Sequence, residues 1–138
     1  MPSSRIRTAV EALPLEPHHR VLEIGCGPGV AARLVAARLG TGHILAVDRS
    51  AAAIAQATAG SAAEIASGRM SVRRVAAEDF ELAAGEEPFD LVFALRVGAL
   101  DGRYPALGER VMARLLAATT PGARLFIDGS PAGLRPAR

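Results

Sequence analysis

The sequence predicts an α/β protein built on a Rossmann-like, doubly wound parallel sheet of about five strands. Three observations carry this. Five short apolar runs alternate with segments of helical period, and the first run, Val21-Leu22-Glu23-Ile24, breaks at once into Gly25, Gly27 and Gly29. The second run ends on Asp48, about twenty residues beyond those glycines, the spacing of a βαβ unit that binds a ribose.

Length and composition set the frame. At 138 residues the chain suffices for one packed core and falls short of two ordinary domains. One domain is expected, with a first helix in 1–14, an α/β core over 20–128 and a tail over 129–138. No apolar run reaches the length of about 18 residues that a membrane span needs. Arg5 and Arg7 are followed by no apolar stretch of leader type, so no secretory leader is expected. Cys26 is the single cysteine, which excludes an internal disulfide and fits a cytoplasmic protein. All sixteen basic residues are arginine, but fourteen acids leave a net charge of only +2, which disfavours nucleic acid as a partner.

Each element follows from local pattern. Ile6, Val10 and Leu13 recur at helical spacing after Ser3 and Ser4 and stop at Pro14, giving a short helix. His18 and His19 precede strand one, residues 20–24, at the end away from the glycines, and no acid or cysteine stands at ligand spacing, so no metal is expected. Helix two covers 30–39 and ends at Gly40; strand two covers 43–47. Ser50 caps helix three, 51–66, which Gly60 weakens at its middle. Strand three covers 71–76. Adjacent Arg73 and Arg74 put charge on both its faces, the mark of an edge strand. Acidic 77–88 reads as a loop with at most one helical turn. Strand four, 89–95, is almost continuously apolar and therefore central. Pro105 opens a helix to residue 119, Pro121-Gly122 makes a turn, strand five covers 124–128, and the rest is a polar tail.

The ligand is expected across the carboxyl ends of the strands, near strands one and four. Glycines there let the backbone pass close beneath a ligand. Asp48 is the expected ribose acceptor, with a helix-capping role as its alternative. Cys26 lies near a helix start, but no histidine is placed to act as its base, so it reads as a small buried filler.

Glu23-Ile24-Gly25-Cys26-Gly27-Pro28-Gly29 matches the first motif of class I S-adenosylmethionine (SAM)-dependent methyltransferases. Ala46-Val47-Asp48-Arg49-Ser50 resembles their second motif, Phe89-Asp90-Leu91-Val92 the opening of their fourth strand, and residues 121–125 the turn into their fifth. The resemblance implies SAM as cofactor and a small-molecule methyl acceptor. It places Gly25, Gly27 and Gly29 under the methionine part, Glu23 at its amino group, Asp48 at the ribose and Arg49 on an adenine face. Cys26, Ala77 and Ala94 complete the expected contacts. The family's adenine-binding Asp aligns with Ala76 here, which leaves Glu78 or Asp79 as its substitute, or main-chain contacts alone. Catalytic residues stay unassigned, with Arg96, Asp101 and Tyr104 as weak candidates after strand four.

Two other readings compete: a non-catalytic SAM-binding or regulatory module, and an NAD-binding protein. The dinucleotide fingerprint puts a small residue where this chain has Val30, and the glycine at 29 and the acid at 23 favour SAM. Family members usually continue past strand five with a helix and an antiparallel hairpin, whereas ten residues follow Asp128 here. An exposed strand-five edge is the implied consequence, unless the tail, a second copy of the chain or another protein covers it, and a homodimer through that edge is one expectation.

Overall fold

The computed structural model describes residues 2–100 and 102–134. In chain order the elements are α1 (Ser4–Glu11), β1 (Arg20–Ile24), α2 (Val30–Ala36), β2 (His43–Asp48), α3 (Ala51–Gly60), α4 (Ala62–Ala66), β3 (Met70–Arg74), β4 (Phe89–Ala94), α5 (Pro105–Ala117), β5 (Thr119–Ile127) and β6 (Ser130–Ala132). Short 3-10 turns lie at Ala77–Asp79 and Gly98–Leu100. The sheet order is β3-β2-β1-β4-β5-β6, parallel except for β6. Strand order reverses at β1, which is flanked by β2 and β4, so a crevice opens at their carboxyl ends.

Period-two alternation sorts the strands into two cores. Val21, Ile44, Ala46, Leu91, Phe93 and Phe126 face Val10, Ala32, Val35 and Ala57 from α1, α2 and α3. Leu22, Ile24, Leu45, Val47, Val92 and Leu125 face Phe80, Val111 and Leu115 on the other side. Expected element positions hold closely, including β3 at an edge, β4 in the centre and Pro105 in the first turn of α5.

Three differences have local causes. The expected continuous helix over 51–66 breaks at Ser61, which is fully buried and accepts a 3.0 Å hydrogen bond from the Arg33 guanidinium. A Cβ on Gly60 would lie 3.1 Å from that guanidinium, so the helix yields where Arg33 inserts. β5 starts five residues earlier than expected, because Thr119 already pairs with Phe89; Pro121 and Gly122 occupy the register shift before Arg124 pairs with Leu91. Finally, the tail is not merely polar coil. Ser130–Ala132 turns back on Asp128 and Gly129 and pairs antiparallel with Leu125–Ile127. Among the described residues, β6 therefore covers the edge of β5 from Leu125 to Ile127, so the expected exposed edge is not open along that stretch. Pro131 removes one donor from the new edge.

Candidate functional site

The glycine turn after β1 is a run of left-handed conformations: φ is +69° at Gly25, +54° at Gly27 and +89° at Gly29. An L side chain pays about 1 to 2 kcal/mol for each such conformation, so glycine is the residue that builds this turn. Main-chain bonds fasten it to β2. The Cys26 N–H donates to the Val47 carbonyl at 2.9 Å, and the Gly27 N–H donates to Asp48 Oδ2 at 2.9 Å. The other Asp48 oxygen accepts from the Ser50 N–H at 2.9 Å, while Ser50 Oγ caps α3 by accepting from Ala53. Asp48 is thus the staple between the turn and the α3 start, with its remaining lone pairs on a half-buried carboxylate.

Glu23 follows Val21 and Leu22 in a fully buried run and, two residues from Val21, shares its face, where its strand neighbours Ala46 and Phe93 are apolar. It is 2 % exposed, and its Oε1 has no hydrogen-bond partner. Burial first, and then the negative charge of Asp48, hold its carboxyl well above the ordinary carboxylate range. A buried acid without a partner in the chain is costly, and such a group is met by a water, an ion or a ligand or serves catalysis. Burial, Glu23 and Asp48 also push the Cys26 thiol up to about 12, so it remains a thiol at neutral pH and offers no nucleophile.

The cleft has two lobes that meet at Gly25 and Arg96. The larger, about 720 Å³, is floored by Glu23, Gly25, Cys26 and Gly27, roofed by α1 through Arg5, Ile6 and Thr8, and closed by Leu95, Arg96 and the Asp128–Ser130 turn. The smaller, about 310 Å³, is lined by Asp48, Arg49, Ala76, Ala77, Glu78, Val97 and Tyr104. Val97 covers Gly25: a Cβ there would lie 2.7 Å from Val97 Cγ2. A Cβ on Gly27 would meet nothing within 4 Å.

Most expected site residues therefore converge on one cleft, divided between its lobes. Three do not line it. Gly29 packs against α3 and the break after it, where a Cβ would approach Ala57, Arg33 and Ser61 at 3.2 to 3.3 Å. Ala94 is fully buried in the sheet, its carbonyl accepting from the Asp128 N–H at 2.9 Å. Asp79 turns to Arg110 at 3.9 Å, so of the two acids after Ala77 it is Glu78 that borders the smaller lobe. Tyr104 also borders that lobe and not the larger one, and Arg96 borders both. Asp101 lies outside the described residues. Sequence reasoning missed Asp128 and the turn after it; the Asp-Gly pair between two short apolar segments was the available hairpin signal.

Comparison with known proteins gives the same direction. A family model described as a methyltransferase domain matches residues 21–122. Trans-aconitate 2-methyltransferase of Streptomyces avermitilis is 33% identical over 91 residues, 66% of this chain and 32% of that protein. The solved cyclase SpnF superposes with a TM-score of 0.72 at 24% identity, over 88% of this chain and 42% of its own. A SAM-dependent methyltransferase from Geobacter sulfurreducens, solved with S-adenosylhomocysteine (SAH), gives 0.69 at 20% identity over 92% and 48%. The chain spans about a third of the curated relative it matches and less than half of these two solved chains.

Proposed function

The chain belongs to the class I SAM-dependent methyltransferase family, and we propose that it binds SAM across both lobes of this cleft and transfers the methyl group to a small-molecule acceptor. One observation carries the reading: the buried Glu23 oxygen without a partner, beneath a glycine turn that leaves open space above Gly27. An ammonium group from outside the chain satisfies that oxygen and draws the carboxyl into its ionised form, which fits the amino end of the methionine part of SAM.

From there the residues take their roles in order. Glu23 holds the amino group, and Gly25 and Gly27 let the ligand lie against bare backbone. Asp48 accepts from the ribose hydroxyls while its bonds from Gly27 and Ser50 keep it in place. Arg49, Ala77 and Glu78 border the adenine. When bound, SAM supplies a methyl group made electrophilic by its sulfonium; the chain supplies alignment and exclusion of water. The acceptor space is the larger lobe under α1. The Streptomyces relative is named for a small organic acid, which supports a small acceptor over a macromolecule.

Calorimetric titration with SAH, with NAD as the comparison ligand, tests this. Saturable SAH binding without NAD binding is the expected result. A folded chain that binds NAD, or neither ligand, overturns it. A non-catalytic SAM-binding module would show the same SAH binding but no SAH release from SAM with any acceptor.

A further inference from the structure

Resting on the reading above, we propose that Asp128 is a positioning residue for the cofactor: its carboxylate holds the chain after β4 in the shape that joins the two lobes, so that SAM crosses a waist fixed from the end of β5. Ala94 and Ile127 are the last register partners of β4 and β5, and beyond them the Asp128 N–H still donates to the Ala94 carbonyl at 2.9 Å. In a parallel ladder the next bond runs from the Arg96 N–H to the Asp128 carbonyl. Here Asp128 instead turns into the left-handed region, at φ +51°, on the way to Gly129 and β6. Its side chain takes the place of the lost carbonyl, and the Arg96 N–H donates to Asp128 Oδ1 at 2.8 Å.

The rung so replaced governs a cleft residue. Among the described residues, Arg96 (φ +57°) and Asp128 are the two non-glycine residues in the left-handed region. Aspartate is enriched there, whereas arginine is uncommon. A disfavoured backbone persists where its surroundings over-determine it, and the Asp128 carboxylate supplies that constraint at Arg96. The reversal at Arg96 brings Val97 back over the glycine turn, where a Cβ on Gly25 would lie 2.7 Å from Val97 Cγ2. Gly25 and Arg96 are the residues that line both lobes, so the waist of the cleft lies between the turn and the segment that Asp128 holds.

The same turn reaches the roof. Gly129, at φ +84°, lies against α1, where a Cβ on it would stand 3.4 Å from Ala9 Cα. Asp128 and Gly129 thus touch the end of β4, the wall after it and the helix above the larger lobe. Asp128 is itself exposed, so its side chain adds no burial to the core. What it fixes is the shape of the cleft.

Two variants separate the carboxylate from the backbone conformation. Asp128→Gly keeps the left-handed turn and removes the acceptor; Asp128→Asn keeps both, because asparagine tolerates this region and its Oδ1 accepts the same N–H. Calorimetric titration with SAH, at a temperature where every variant is folded, should show D128G weakened about ten-fold, as when about a tenth of the molecules hold the wall in place, and D128N within about three-fold of the parent. In proton–nitrogen correlation spectra of the chain without ligand, the Arg96 amide should exchange faster with solvent in D128G and keep its protection in D128N. A residue that only stabilises the fold would lower the melting temperature of D128G and leave its SAH affinity within about two-fold of the parent, which would overturn the proposal. An Arg96 amide unchanged in D128G would overturn it too, as would a D128N as weak as D128G, the mark of a carboxylate that touches the ligand directly. Failure of the parent chain to bind SAH would instead overturn the cofactor reading, and the Arg96 amide in the two variants would still decide whether Asp128 holds the wall.

Discussion

The two lobes of the cleft are built on different principles. The smaller is bounded by strand ends and by main-chain bonds, with Asp48 joining Gly27 to Ser50 and the Val75 N–H donating to the Asp48 carbonyl at 3.0 Å. The larger is roofed by α1, which buries only Val10 along its length and is anchored beyond it by Arg38 donating to the Val10 and Leu13 carbonyls. A lobe framed by strand ends keeps one shape, whereas a lobe roofed by an exposed helix accommodates variation in what it holds. On the proposed reading the first takes the nucleoside of SAM, and the second takes its methionine end on the Glu23 to Gly27 floor together with the variable acceptor.

Substitutions at the floor test this division, and Gly25→Ala has the largest expected effect. It combines a left-handed conformation with a Cβ 2.7 Å from Val97 Cγ2, at the point where the lobes meet. Together these should destabilise the fold by about 2 to 4 kcal/mol and abolish SAH binding. Gly27→Ala separates the two consequences. Nothing lies within 4 Å of its new methyl, so the unfolding cost is the backbone term alone, about 1 to 2 kcal/mol, yet the methyl enters the larger lobe. Thermal unfolding and SAH titration of both variants should therefore diverge: G25A loses stability and binding, G27A chiefly binding.

Glu23→Gln comes next. Removing a buried acid that has no partner should leave stability unchanged or raised, while SAH affinity falls about ten-fold or more through the lost ammonium contact. The pH dependence carries the sign. The folded carboxyl has a raised pKa, so above the unfolded value the unfolded chain has released a proton that the folded chain still holds. Stability then falls as pH rises from the ordinary carboxylate range towards the folded value, and the slope is absent in E23Q. At pH values below the raised free-chain value, ligand binding should release a proton, read as a dependence of the calorimetric heat on the ionisation enthalpy of the buffer. A heat independent of buffer would remove Glu23 from the ammonium role.

How far the sequence foretold each region follows the same division. The turn, Asp48 and the order of strands were legible because each rests on a short-range rule: glycine for positive φ, alternation for burial, an acid at a strand end. Glu23 was legible as a motif position, but its isolation was not, since that depends on neighbours from α1, α2 and β4 that are remote in sequence. The placement of Gly29 against α3 and of Tyr104 beside the smaller lobe are likewise tertiary facts. The Asp128 turn went unread because the polar, proline-interrupted residues after it looked like a tail, and the early start of β5 went unread because Pro121-Gly122 looked like a turn.

The smallest expected effect lies in the outer wall of the smaller lobe. The segment after β3 is held by Arg73, whose guanidinium donates to both Glu86 oxygens at 3.2 and 2.8 Å and lies over the Phe80 ring at 5.7 Å. Burial would raise the Glu86 pKa, but the hydrogen bonds from Arg73 and the Ala83 N–H, with the charges of Arg73 and Arg20, bring it below the ordinary value. The pair is partly exposed, at 33 % and 16 %, so solvent screening limits its worth to about 1 kcal/mol. Arg73→Ala should lower the Tm by about 2 to 5 °C at neutral pH. Because the folded pKa is depressed, this contribution is present above the unfolded value and is lost as pH falls through the folded one. Parent and variant unfolding curves should therefore converge on acidification. If the variant also lost SAH affinity well beyond its loss of stability, the wall would be a working part of the nucleoside lobe; affinity within about two-fold of the parent would make it a brace that acts through stability alone, as the partly exposed position of the pair implies.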